Sequence, residues 1–169
     1  MPKPIRQLRL LCHNVRSLWN VGSFFRTCDA LGVEHLYLTG YTGHPPRKEI
    51  SKTAIGAEEF VRWEHAANPL PVLQKLKDEG WQIVALEITE NAIPMTAFKP
   101  EEHVCLVVGH ELAGISPEIL SLCDATVFIP MLGKKESLNV AVAAGIALHA
   151  LRSLVFARDD KNNIAAEEN

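Results

Sequence analysis

The sequence contains no Cys-x-x-Cys pair and no His-x-x-x-His pair, and its four cysteines, Cys12, Cys28, Cys105 and Cys123, stand singly in apolar segments. That argues against a zinc or other metal site and for reduced, buried thiols. The glycine-rich phosphate loops are missing too: neither G-x-G-x-x-G after a strand nor G-x-x-x-x-G-K-[ST] occurs. A P-loop NTPase, a protein kinase and an ordinary dinucleotide enzyme are therefore disfavoured. No G-x-S-x-G nucleophile elbow is present. The start, Met-Pro-Lys-Pro-Ile-Arg, lacks an apolar core, so no secretory signal is expected. No apolar stretch reaches the length of a membrane span, since 138–151 is interrupted by Asn139 and His149. A cytoplasmic protein without membrane contact is the expectation. Repeats, low-complexity segments and internal linkers are absent.

A broad excess of positive charge is lacking as well. Net charge is −3, and residues 158–169, with two basic and four acidic side chains, account for −2 of it. That excludes a uniformly basic nucleic-acid coat. Local basic clusters remain: Arg6 with Arg9, Arg47 and Lys48 with Lys52, and Lys134 with Lys135.

What is present reads as one α/β domain over 1–157, followed by a short polar acidic tail, 158–169, expected to be flexible. A length of 169 residues suffices for a sizeable core, and 47% hydrophobic with 22% charged residues suits a globular chain. Apolar runs predict strands at 8–12, 34–39, 82–87, 104–108 and 125–129, with a short one at 58–63. Helical spacing predicts helices at 21–31, 69–79, 116–122 and 138–156. Asn20 stands where the first helix needs an N-cap, Gly22 would let a ligand approach that helix end, and Gly32 stops it. Strands alternating with helices argue for a mostly parallel sheet flanked by helices.

The segment 104–148 is central. Two buried strands within it each end in a glycine-containing loop with polar groups, around Gly109-His110-Glu111 and around Met131 to Ser137. Loops at the carboxyl ends of parallel strands are where ligands bind. The last helix is apolar nearly all round over its first turns, as for a helix buried on several sides or against a second chain.

Three segments then resemble the three motifs of the SpoU/TrmH class of RNA ribose 2′-O-methyltransferases, in the SPOUT superfamily. Asn14, Asn20, Gly22 and Arg26 are similar to the family's N-x(5)-N-x-G-x(3)-R pattern. Gly109, Glu111, Gly114 and Ile115 resemble G-x-E-x-x-G-[IL]. Ile129-Pro130-Met131, Gly133 and Ser137-Leu138-Asn139 through Gly145 resemble IPM-x-G-x(3)-SLN-x(3)-A-x-[AG]. All three occur in the family's order. Leu112, where many relatives carry Gly, and Ala141, where many carry Ser, depart from it.

The resemblance implies a C-terminal deep trefoil knot, S-adenosylmethionine as cofactor with S-adenosylhomocysteine as product, and a homodimer through the C-terminal helix and knot region. It implies that Leu106, Val107, Val108, Gly109, Ile129, Met131, Ser137 and Leu138 hold the cofactor. By the same resemblance Arg26, Asn20, Glu111, Ser137, Asn139 and Asn14 are active-site residues. Local chemistry alone would make Asn20 and Ser137 helix caps, Glu111 a turn carboxylate and His110 a structural loop residue. Arg47 and Lys52 are candidate RNA-phosphate contacts. The implied reaction is methylation of a ribose 2′-hydroxyl in RNA, with tRNA favoured over rRNA. The alternative is an RNA- or ribosome-binding module of the same fold without turnover. With no added RNA-binding domain in the sequence, target recognition is expected from the catalytic dimer itself or from another partner.

Overall fold

The computed structural model describes residues 6–167, with side chains described for 6–153. In chain order the elements are β1 (Gln7–His13), α1 (Leu18–Leu31), β2 (His35–Thr39), α2 (Lys48–Ala54), a 3₁₀ turn (Ala57–Glu59), β3 (Trp63–Ala66), α3 (Pro69–Asp78), β4 (Gln82–Leu86), β5 (Ile93–Pro94), β6 (His103–Val108), α4 (Pro117–Leu122), β7 (Ala125–Phe128) and α5 (Val140–Glu167). The strands form one sheet in the order β3-β2-β1-β6-β4-β7-β5, and these seven strands pair in parallel throughout.

Alternation along β1 explains the layering. Leu8, Leu10 and Cys12 face the layer of α1, α2 and α5, where Phe24, Phe25, Ile50 and Leu148 are buried. Leu11 faces the other way, onto Leu73, Leu76, Trp81 and Ile119 beneath α3 and α4. A strand covered on both faces reads as a continuous apolar run, which is why β1 and β6 were legible. Burying each of the two phenylalanines is worth about 1.5–3 kcal/mol.

Several expectations are corrected. The expected strand 58–63 is a 3₁₀ turn followed by β3 at Trp63–Ala66, and 48–54, where no helix is expected from sequence, forms α2. The N-cap of α1 is Ser17, not Asn20: Ser17 is extended, at φ −77° and ψ 117°, and its hydroxyl accepts from the Asn20 amide. The helix therefore begins a turn earlier, and the Asn20 side chain is released for other partners. Gly22 does not admit a ligand. It is buried against α2, where a Cβ would lie 1.9 Å from the Thr53 hydroxyl and 2.4 Å from the Ile50 carbonyl oxygen. Its lack of a side chain serves the α1–α2 packing.

Arg6 and Arg9 do not form a basic patch. Arg6 is buried and donates to the carbonyls of Glu101 and Leu151. Arg9 pairs with Glu34 at 2.7 Å and donates to the Tyr37 hydroxyl. The α5 backbone runs past the expected end at 156, and the polar tail expected over 158–169 falls on residues whose side chains lie outside the described ones. No helix among the described residues is long and apolar enough to cross a membrane.

Candidate active site

The strand order runs outward from β1 through β2 and β3, while β6 begins the other half of the sheet. The carboxyl ends of β1 and β6 thus flank a topological switch point, where an open α/β sheet leaves a crevice. Across that crevice lies a chain of polar contacts. The Glu111 carboxylate, just after β6, accepts from the backbone amides of Arg16 and Ser17, both at 3.2 Å, and from the Asn20 side-chain amide at 3.3 Å. The Asn20 carbonyl oxygen in turn accepts from the Asn139 side-chain amide at 3.1 Å. Asn139 Oδ1 then accepts from the amides of Ala141 and Val142, at 2.9 and 3.2 Å.

Asn139, not Ser137, therefore caps α5, because its carbonyl oxygen is the one that reaches the first free amides. Residues from all three sequence motifs meet here, drawn from segments 91 and 119 positions apart.

Burial of the Glu111 carboxyl opposes ionisation. The backbone amides of Glu111, Arg16 and Ser17 and the Asn20 side chain outweigh it and hold the group below the ordinary carboxylate value. A lowered folded-state pKa stabilises the fold above the unfolded value of 4.5, and that stabilisation is lost as pH falls through the folded one. The wild-type melting temperature should therefore drop more steeply on acidification below about pH 4.5 than that of Glu111→Gln, measured by thermal denaturation. Equal slopes would show that Glu111 is not clamped in solution.

Beside the chain opens a cavity of about 330 Å³, within the range of small-molecule sites. Of the eight residues expected to hold a cofactor, Val108, Gly109, Ile129, Met131, Ser137 and Leu138 line it. Leu106 and Val107 do not: both are fully buried in β6, packed on opposite faces of the sheet. The wall also includes Leu86, Glu87 and Ile88 from the end of β4, as well as Phe128 and Glu136, which sequence reasoning missed. An acidic residue directly after a buried parallel strand, Glu87, was the available signal. Its two carboxylate oxygens accept from the amides of Ile88 and Ile115 and so tie the end of β4 to the loop after β6.

Four candidates stand apart from the polar chain. Asn14, at φ 55°, accepts the Tyr41 amide at 3.0 Å. Arg26 is exposed on α1, six residues beyond Asn20 and on a different side of the helix. Arg47, capping α2, and Lys52, on it, are exposed, with the Lys52 ammonium 5.6 Å from the Trp19 ring centroid. No cluster of three or more metal-ligating side chains occurs among the described residues.

Comparisons with known proteins agree with this arrangement. The model of the SpoU rRNA methylase family matches residues 7–149. A tRNA (guanosine(18)-2′-O)-methyltransferase of Aquifex aeolicus is 36% identical over 150 residues, covering 88% of this chain and 70% of the relative. The 23S rRNA (guanosine-2′-O-)-methyltransferase RlmB of Acinetobacter baylyi is 32% identical, covering 84% of this chain and 58% of the relative. The AdoMet-bound structure of an rRNA methyltransferase from Sinorhizobium meliloti superposes with a TM-score of 0.83 at 27% identity, over 90% of this chain and 58% of that one. The chain thus spans little more than half the length of some relatives. With residues of all three motifs joined in one hydrogen-bonded chain beside the cavity and the family model covering most of its residues, the chain belongs to the SpoU/TrmH family of RNA 2′-O-ribose methyltransferases.

Proposed function

We propose that this protein methylates a ribose 2′-hydroxyl in RNA with S-adenosylmethionine, and that the target is a tRNA. The observation that carries this reading is the Glu111–Asn20–Asn139 chain at the mouth of an apolar-walled cavity. Ile129, Met131, Leu138 and Leu86 offer flat apolar cover for an adenine, and Glu87 and Glu136 place carboxylates where a cationic ligand is favoured. The residues present fit the cofactor. When bound, S-adenosylmethionine supplies an electrophilic methyl group on a sulfonium sulfur. The tRNA assignment is supported by the Aquifex relative, which has the higher identity and coverage of the two curated relatives above.

In this reading the polar chain orients rather than titrates. Glu111 already accepts four donors, counting its own amide, so it serves to lock Asn20. Asn20 and Asn139, each fixed at both ends of its amide, present a rigid polar edge to the incoming ribose, which sets the oxygen in line with the methyl group. Ser137 lines the cavity and is exposed, so its hydroxyl is placed to contact cofactor or ribose. Arg26 carries a planar guanidinium, which clamps an RNA phosphate and the transition state. Arg47 and Lys52 extend the phosphate track.

The active unit is a homodimer. On α5, Ala144, Ala147 and Leu148 are buried within the chain, while Val142 and Ile146, four residues apart on one face, stay about half exposed. A second copy laid on that face would cover them. The trefoil knot implied by the family belongs to the same reading. The site is intracellular in this reading, where its RNA resides.

The test is labelled methyl transfer from S-adenosylmethionine to total RNA of cells lacking the gene, mapped by resistance of the methylated linkage to alkaline cleavage. One protected tRNA linkage is expected. Protection confined to rRNA would overturn the target. Binding of RNA with neither transfer nor cofactor binding would favour the non-catalytic module.

A further inference from the structure

The loop after β2 carries an exposed aromatic that the proposed reaction does not use. Tyr41 is 60% exposed, although it belongs to a loop held tightly in place. Its amide is bound by Asn14 Oδ1 at 3.0 Å, and the Asn14 amide donates to the Thr39 carbonyl at 3.1 Å. Asn14 itself sits at φ 55°, and Gly40 at φ 67° leaves it room, since a Cβ on Gly40 would lie 1.9 Å from Asn14 Oδ1. Two residues in the left-handed region are thus interlocked, and what they fix is the position of Tyr41.

The ring it positions stands at the active site. Tyr41 meets His110 edge to face, with centroids 6.4 Å apart at 78°, and His110 lines the cavity. His110 is rigid in its turn: its Nδ1 accepts the amides of Leu112 and Ala113 at 3.0 and 2.9 Å, which places its proton on Nε2. His110 packs against one part of the Tyr41 ring, and most of that ring stays open to solvent. Arg16, exposed in the same loop as Asn14, supplies a cation for a phosphate nearby.

We infer that Tyr41 is the stacking platform for a nucleobase of the RNA beside the methylated ribose, and that Asn14 is its positioning residue. This rests on the RNA reading above. A 2′-hydroxyl is one of many alike along a strand, so orienting it needs contacts to its neighbours, and stacking on a fixed aromatic does so without reading sequence. The pre-set loop lowers the ordering cost of that contact.

The experiment measures binding to the full-length protein of a fluorescein-labelled, mixed-sequence 12-nucleotide single-stranded RNA, and of the same strand with abasic sites, by fluorescence anisotropy. Wild type should favour the base-bearing strand. Tyr41→Ala should reduce that preference about tenfold, and Tyr41→Phe should retain it. S-adenosylmethionine affinity, measured by calorimetry, should be unchanged in both variants. Three results would overturn the inference: a preference undiminished in Tyr41→Ala, equal weakening on both strands, or lost cofactor affinity. The assay needs no turnover. Absence of methyl transfer by wild type would count against the enzyme reading and leave the base-stacking result to stand by itself.

Discussion

Replacing Arg26 by alanine is expected to lower methyl transfer about 10²–10³-fold while leaving the melting temperature and cofactor affinity at wild-type levels. The stability half of this result follows from placement. Arg26 lies on the exposed side of α1, away from Val21, Phe24, Phe25 and Cys28, which form the buried stripe. A surface substitution in a helix that keeps its cap at Ser17 and its αL stop at Gly32 costs little. The rate half follows from charge. In-line displacement at a ribose oxygen next to a phosphodiester needs a fixed cation, and the carboxylates lining the cavity cannot supply one. Arg26→Lys should recover only part of the loss, because an ammonium cannot hold phosphate and hydroxyl through a planar fork. Steady-state methylation with thermal denaturation on the same preparations checks both halves. A rate unchanged in Arg26→Ala would reduce Arg26 to ordinary helix surface.

Strands β1, β4 and β6 were legible because burial on both faces leaves a run of apolar residues that no other element needs at that length. Helix α2 was not. It has seven residues, buries only Ile50 and Ala54, begins at Arg47 without a side-chain cap, and follows Pro45 and Pro46, all of which read as loop. Nor could local pattern choose between neighbouring caps. Ser17 and Asn20 are both good cap residues, as are Ser137 and Asn139; in the fold the Asn20 amide goes instead to Glu111, 91 positions away, and Asn139 both caps α5 and donates to Asn20. The motifs named the polar residues of the site. They did not show that Glu111 ties the loop after β1 to the loop after β6, or that Asn14 belongs to a different cluster. The end of β4, with Leu86, Glu87 and Ile88 on the cavity wall, has no motif at all. Its place depends on β4 lying beside β6, a fact of topology that spacing does not carry.

Mixing two inactive variants, Arg26→Ala and Asn20→Ala, should restore about a quarter of wild-type activity if the proposed two-fold dimer completes each site with the partner's arginine. Asn20 bonds Glu111 and Asn139 within one chain, so the polar edge of a cavity is assembled in cis. Arg26 is two turns along α1, about 9 Å further on, and is turned to another side. Within one chain it does not join the cavity it is proposed to serve. The half-exposed Val142 and Ile146 of α5, the helix that packs on α1, mark the face where a second copy would lie. In a mixed dimer one site would then combine an intact Asn20 from one subunit with an intact Arg26 from the other, and the second site would lack both. Random pairing makes half the dimers mixed, each with one working site of two, which sets the expected quarter. Each variant alone should remain at least about 10²-fold below wild type. Subunit exchange before the assay, with dimer mass followed by light scattering, provides the control. If mixed dimers form and activity does not return, Arg26 acts on its own chain's cavity, and α1 must move to bring it there.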